Sequence, residues 1–199
     1  MDSFQTIDRQ GTAEFRDRGS RFIAFAFPLK SPEDFRPQLN ALKKEHPKAV
    51  HHCFAYRCGI DGNTFRSSDD GEPSGSAGKP ILGQIDSKGL TDVAVVVVRY
   101  FGGTLLGVPG LINAYKTVTS LALQMVPVVT KAIEVPYNIS FNHQDINEVM
   151  RIIKHVGGNM LEHELGLFPF VKAGIPKNRA DEFEMRIGDL RNVEFSRLL

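Results

Sequence analysis

Cysteine, an excess of either charge and long apolar runs are all scarce in this chain of 199 residues, and each shortage closes a class of explanation. The two cysteines, Cys53 and Cys58, make no disulfide framework; five residues apart on a strand they point to opposite faces and fill core. The charge is nearly balanced, 24 Lys and Arg against 23 Asp and Glu, which is not the strongly basic footprint of a dedicated nucleic-acid binder. Split at residue 130, the chain carries 15 basic and 13 acidic residues before and 9 and 10 after, so neither half is an electrostatic magnet. No unbroken apolar run is longer than Val93 to Val98, far short of a bilayer crossing, and Met1-Asp2-Ser3-Phe4-Gln5 lacks the basic and apolar parts of a signal peptide. The expectation is a cytoplasmic protein without membrane contact. At 42% hydrophobic content the chain has enough apolar material for a proper core.

What is present in concentrated form is polar chemistry on one loop. The run from Ser67 to Pro80 holds three carboxylates, four hydroxyls and one lysine among glycines and prolines that interrupt any helical or strand period. Pro80 suits a first helical position, and Ile81, Leu82 and Ile85 follow at the spacing of a buried face. A glycine-rich approach to a helix start offers free N–H groups to an anion, and Lys79 adds a charge there. Ser74, Gly75, Ser76, Gly78, Lys79 and Arg99 are therefore the candidate anion or RNA contacts. Asp69, Asp70, Glu72 and His52 are candidates for supporting the loop. Arg99 ends an apolar strand, where a guanidinium needs a partner, so it is expected to pair with Asp69, Asp70 or Glu72.

Around this loop the chain alternates strands and helices. Arg21 to Phe27 reads as a buried strand, and Ser31, Pro32 and Asp34 start a helix whose Phe35, Leu39 and Leu42 share a face before Pro47. His51 to Arg57 and Thr64 to Ser68 form a hairpin about Asp61-Gly62. Val93 to Val98, apolar on both sides, is a central strand. Leu111, Tyr115, Val118, Ala122 and Met125 then recur at helical spacing, Pro127 breaks the helix, and Val128 to Lys131 reads as a hinge. In the remainder, Ile133, Val135, Tyr137, Ile139 and Phe141 alternate as a half-buried strand, and Asn142 suits a helix cap. The order βαββαβ follows, which is the ferredoxin-like arrangement.

Three blocks, His51 to Arg57, Ser68 to Leu82 and Arg99-Tyr100-Phe101-Gly102-Gly103, resemble the YigZ/IMPACT family, over roughly residues 18 to 126. The resemblance implies an α+β protein of two domains. Residues 1–130 would form a left-handed βαβ domain like the fourth domain of elongation factor G, and residues 131–199 a ferredoxin-like domain like its fifth. It also implies a binding or regulatory role in translation, with RNA, the ribosome or a protein of translation control as partner; from the residues themselves, no cofactor and no metal are expected. Leu105 and Asn113 depart from the family, whose members usually carry basic residues there.

Other chemistries fit less well. A P-loop is excluded because Pro73 stands where its first glycine belongs and Pro80 where Ser or Thr should follow the lysine. His51, His52, Cys53 and Cys58 lack a second ligand pair at zinc spacing. The rival is a metal-assisted hydrolase or transferase using Asp69, Asp70 and Glu72 with His52 and Ser74, since crowded carboxylates have coupled titrations.

Overall fold

The computed structural model describes residues 2–198, which divide into two compact units, Phe4–Lys131 and residues 132–198 with 2–3. In chain order the first unit holds strands β1 (Ser3–Ile7), β2 (Gly11–Asp17) and β3 (Ser20–Pro28), helix α1 (Phe35–Glu45), strands β4 (His51–Cys58) and β5 (Thr64–Ser68), helix α2 (Gly78–Ser87), strand β6 (Val93–Tyr100), helix α3 (Gly107–Gln124) and strand β7 (Val128–Ala132). β2, β3, β6, β4 and β5, in that order, make one antiparallel sheet. α1 joins β3 to β4 and α2 joins β5 to β6, each a crossover between parallel strands with one antiparallel strand between them.

β6 lies at the middle of the sheet because it is apolar on both sides. Val93, Val95 and Val97 enter one cluster with Ala24, Cys53, Ile81, Ile85, Tyr115 and Val118 under α2 and α3. Ala94, Val96 and Val98 enter a second with Phe25, Phe54, Tyr56, Phe35 and Leu42 under α1. A strand covered on both faces reads as a continuous run, and each valine buried stabilises by roughly 1.5–3 kcal/mol relative to exposure. Alternation likewise sends Cys53 to the first cluster and Cys58 to the second, and both thiols are free. β2 turns into β3 through Arg18 and Gly19, both at positive φ, as tight two-residue hairpin turns require. A side chain on Gly102 would sit 1.9 Å from the Gly19 carbonyl carbon, so the end of β6 passes directly against this turn only as glycine.

Several local expectations are revised. β1 and β2 precede the strand at Arg21, and Val128–Lys131, expected as a hinge, is strand β7, paired with β1 in a two-stranded sheet. α2 begins at Gly78 rather than Pro80. Met125 lies past the end of α3 and is exposed, while Leu123 and Val126 are buried in its stead. Ser31 precedes a short 3-10 turn but caps no backbone N–H; its hydroxyl donates to the Asp34 carboxylate at 3.1 Å. Asn142 also makes no side-chain cap.

The second unit runs β8 (Glu134–Ser140), α4 (Ile146–His155), β9 (Asn159–Glu164), β10 (Phe170–Pro176), α5 (Ala180–Gly188) and β11 (Glu194–Arg197). The strand order β11-β8-β10-β9, all antiparallel, is the ferredoxin-like one. Tyr137, Ile139, Val171, Ala173 and Ile175 face the helices and bury Val149, Ile153, Phe183 and Ile187. No helix among the described residues is long and apolar enough to cross a membrane.

Candidate functional site

The loop between β5 and α2 carries an anion at the helix start, and that anion is its own Asp69. Asp69 Oδ1 accepts the N–H groups of Ala77 at 3.0 Å and Gly78 at 2.8 Å, and Oδ2 accepts that of Gly75 at 2.8 Å. Burial pushes the Asp69 carboxyl up, but the three backbone donors and the nearby Lys79 outweigh it and hold the group below its ordinary value. The close approach depends on Gly78, where a Cβ would lie 2.7 Å from the Ser68 backbone nitrogen. Ser76 is fully buried and its hydroxyl donates to the Pro73 carbonyl at 2.6 Å, which closes the turn from inside.

Below the loop lies a buried charged clasp. Glu72 Oε1 accepts from Arg99 Nη1 at 2.6 Å and from the Tyr115 hydroxyl at 2.8 Å, with side-chain exposures of 6% for Arg99 and 3% for Glu72. Arg99 is thereby anchored at the end of β6 and Tyr115 on the inner face of α3. Arg99 Nη2 also donates to Ser20 Oγ at 3.3 Å, and Ser20 Oγ accepts the Gly102 N–H at 3.2 Å. The guanidinium lies between the rings of Phe22 and Phe101, 5.3 and 5.7 Å from their centroids, where π-faces favour a desolvated cation. The Cys53 thiol sits 3.2 Å from Tyr115 Oη and 3.0 Å from the Asp69 carbonyl oxygen. Burial pushes both the Tyr115 phenol and the Cys53 thiol far up, so both stay neutral. A buried ion pair is favourable only when its remaining donors and acceptors are satisfied. Here Tyr115 and Ser20 take part of that role.

Asp70 ties the loop to β4. It adopts φ 42°, its Oδ2 accepts the His52 N–H at 2.7 Å, and its carbonyl oxygen accepts from His51 Nδ1 at 2.7 Å. His51 Nε2 lies 3.8 Å from Glu72 Oε2, so His51 spans the two halves of the clasp. The His52 ring is on the other face of the sheet, near Lys43 and His46. Burial, then the Lys43 charge, lower its pKa, and its Nε2 is buried without a partner.

The residues that build this clasp all fall within the stretch that a family model matches. Residues 18–123, which contain Ser20, His51, Cys53, Asp69, Glu72, Arg99 and Tyr115, match the Impact N-terminal domain. The IMPACT family member YigZ of Escherichia coli (strain K12) is 31% identical over 172 residues, 85% of this chain and 84% of that protein. The chain belongs to the IMPACT family. An IMPACT family member of Thermus thermophilus is 46% identical over 108 residues, 54% of this chain and 57% of that protein. A crystal structure of a hypothetical protein matches across 100% of this chain and 98% of its own, with 28% identity and a TM-score of 0.79.

Set against the sequence expectations, this IMPACT family chain brings Asp69, Asp70, Glu72 and Arg99 together, and Arg99 does pair with Glu72. The anion-contact set is narrower than expected. The Gly75 and Gly78 amides are already bonded to Asp69, Ser76 is sealed inside, and Arg99 is buried on Glu72; Ser74 and Lys79 are the two that face solvent. The rival hydrolase arrangement is not assembled. His52 points to the α1 face while Tyr115, Glu72 and the loop belong to the α2 and α3 face, and the three carboxylates each bond a different internal donor. Among the described residues no three His, Cys, Asp or Glu side chains converge to hold a metal ion. Sequence reasoning missed Ser20, His51, Cys53 and Tyr115 as members of the clasp. Tyr115 was findable, since a tyrosine on the buried face of a helix needs a hydroxyl partner.

The open face of the second sheet, expected to assist binding, carries a groove of about 900 Å³ lined by Asn138, Ser140, Phe168, Phe170, Lys172 and Glu194 among others. Lys172 on this face is paired with Glu162 at 2.5 Å, and Glu164 opposes Phe170 there. The strand residues of this face include Glu162, Glu164 and Glu194 against Lys172, while Arg191 also lines the groove, so the face carries no excess of positive charge for a phosphate backbone.

Proposed function

We propose that the protein is a translation-associated binding protein that contacts RNA or the ribosome through the solvent side of the polar loop on its first unit. The observation that carries this reading is the internal use of the loop's acids. With Asp69 held by three amides and Glu72 by Arg99 and Tyr115, Lys79 stands as the loop's exposed cation, and Ser74 is exposed on the same loop. The charge partition runs the same way. Residues 4–131 carry 16 Lys and Arg against 12 Asp and Glu, a formal +4, and the remaining residues 8 against 11, a formal −3. Membership of the IMPACT family supports the link to translation that the resemblance implies. A clasp that fixes the loop beforehand lowers the ordering cost of binding.

The test is association of the full chain with purified ribosomes and with single-stranded and structured RNA at low and moderate salt. Saturable binding that weakens with salt, with a log–log slope reduced by about 1 in Lys79→Ala, is the expected result. Binding that ignores both salt and the substitution would overturn the reading in favour of a protein partner, and no binding at all would remove it.

A further inference from the structure

Five of the large exposed apolar side chains fall within nine residues of the second unit. Met160, Leu161, Leu165, Leu167 and Phe168 all belong to β9 or to the turn into β10, and Leu167 and Phe168 are 91% and 88% exposed. Scattered apolar exposure is ordinary, but this concentration within one stretch of nine residues is not. β9 is also the outer strand of its sheet. It pairs with β10 on one side only, and each of its six residues is exposed. Its outer edge therefore presents unpaired N–H and C=O groups, the template for an added strand.

The charges on this edge select the occupant. β9 carries Glu162 and Glu164, and the only cation bonded to either among the described residues is Lys172. A second copy of β9 laid alongside, parallel or antiparallel, brings these glutamates against each other, and like charges on neighbouring strands are destabilising. The acids that discourage self-pairing favour a strand with cations at the matching positions, so repulsion and attraction act together on partner choice. The unit as a whole is acidic, which steers the same kind of partner toward it.

We propose that the β9 edge is a docking site for an extended protein segment that alternates Lys or Arg with apolar residues and joins the sheet as a fifth strand. Its cations face Glu162 and Glu164 on the open face of the sheet, and its apolar side chains, on the opposite face, extend the row of Met160, whose partner Ala173 faces the helices. This site lies on a different unit from the polar loop and does not depend on the RNA reading.

The experiment titrates the isotope-labelled full chain with three capped nine-residue peptides, alternating valine with lysine, with glutamate or with threonine, and follows backbone amide shifts and hydrogen exchange. Expected are shifts and slowed exchange confined to residues 159–168 with the lysine peptide, binding that weakens with salt, and an affinity loss of about tenfold or more in E162K/E164K. Met160→Ser should weaken binding without altering the salt response. Equal effects from the glutamate peptide, shifts located elsewhere, or no shift at millimolar peptide would overturn the proposal. Concentration-dependent shifts of the β9 amides without peptide would overturn it too, in favour of pairing between copies.

Discussion

Glu72 and Arg99 show what single residues contribute here. Glu72→Ala strands a buried guanidinium and removes the acceptor of the Tyr115 hydroxyl. A loss of about 3–5 kcal/mol in urea unfolding is expected, against about 2 kcal/mol for Glu72→Gln, whose amide oxygen still accepts from both donors. His52 sets a pH dependence. Its folded-state pKa is lowered by burial and then by Lys43, whereas the unfolded chain takes up that proton near about 6.5. The unfolded state thus holds more protons in the window below that value, so stability falls as pH drops through about 6.5 and stops falling from this group once the folded imidazole also titrates. Stability measured between about pH 7 and about pH 5 should vary less in His52→Leu than in wild type. At this scale the sequence was informative about need and silent about choice. A guanidinium ending an apolar strand must find a carboxylate, but selecting Glu72 over Asp69 depends on Tyr115, 43 residues away, and on the helix amides that capture Asp69 first.

At the scale of elements, β4 places its two cysteines in separate cores. Burial pushes the Cys58 thiol up to about 11 and the Cys53 thiol further. With almost no thiolate at neutral pH, both should react with an aromatic disulfide reagent only as fast as the protein opens, and at once in denaturant. A native thiol reacting at the rate of a free one would contradict the burial of β4. Legibility of the elements followed their surroundings. β6 and β8 were readable because burial on two faces or one stamps a continuous or alternating pattern on the residues. β1, β2 and β7 were not read; in β2 (Gly11–Asp17) Ala13 and Phe15 do alternate with Thr12, Glu14 and Arg16 and pack on the first cluster, but two half-buried apolar residues make a fainter signal than the fully buried run of β6. The start of α2 was misjudged by two residues because its first turn is fixed by Asp69, and proline preference at a helix start cannot register that bond.

For the whole molecule, the two clusters that sandwich the five-stranded sheet close within residues 4–131, and the third closes within the ferredoxin-like unit. A fragment of residues 4–131 should therefore unfold cooperatively on its own, with circular dichroism and tyrosine fluorescence giving coincident transitions. Non-coincident transitions would show that the fragment lacks part of its core. The division of charge between the units became visible only with the structural boundary, since Lys131 and Asp2 change sides relative to a cut at residue 130.

The loop at α2 amounts to a receptor whose guest is covalently tethered. Asp69→Gly would free the guest's place and leave the Gly75, Ala77 and Gly78 donors beside Lys79 without a carboxylate, at a cost of about 3 kcal/mol. Such a variant should be open to chemical rescue. Dissolved formate should raise its melting temperature in a saturable way that chloride does not match and wild type does not share, and the half-saturating concentration would measure how well the fold has shaped that cradle without its occupant.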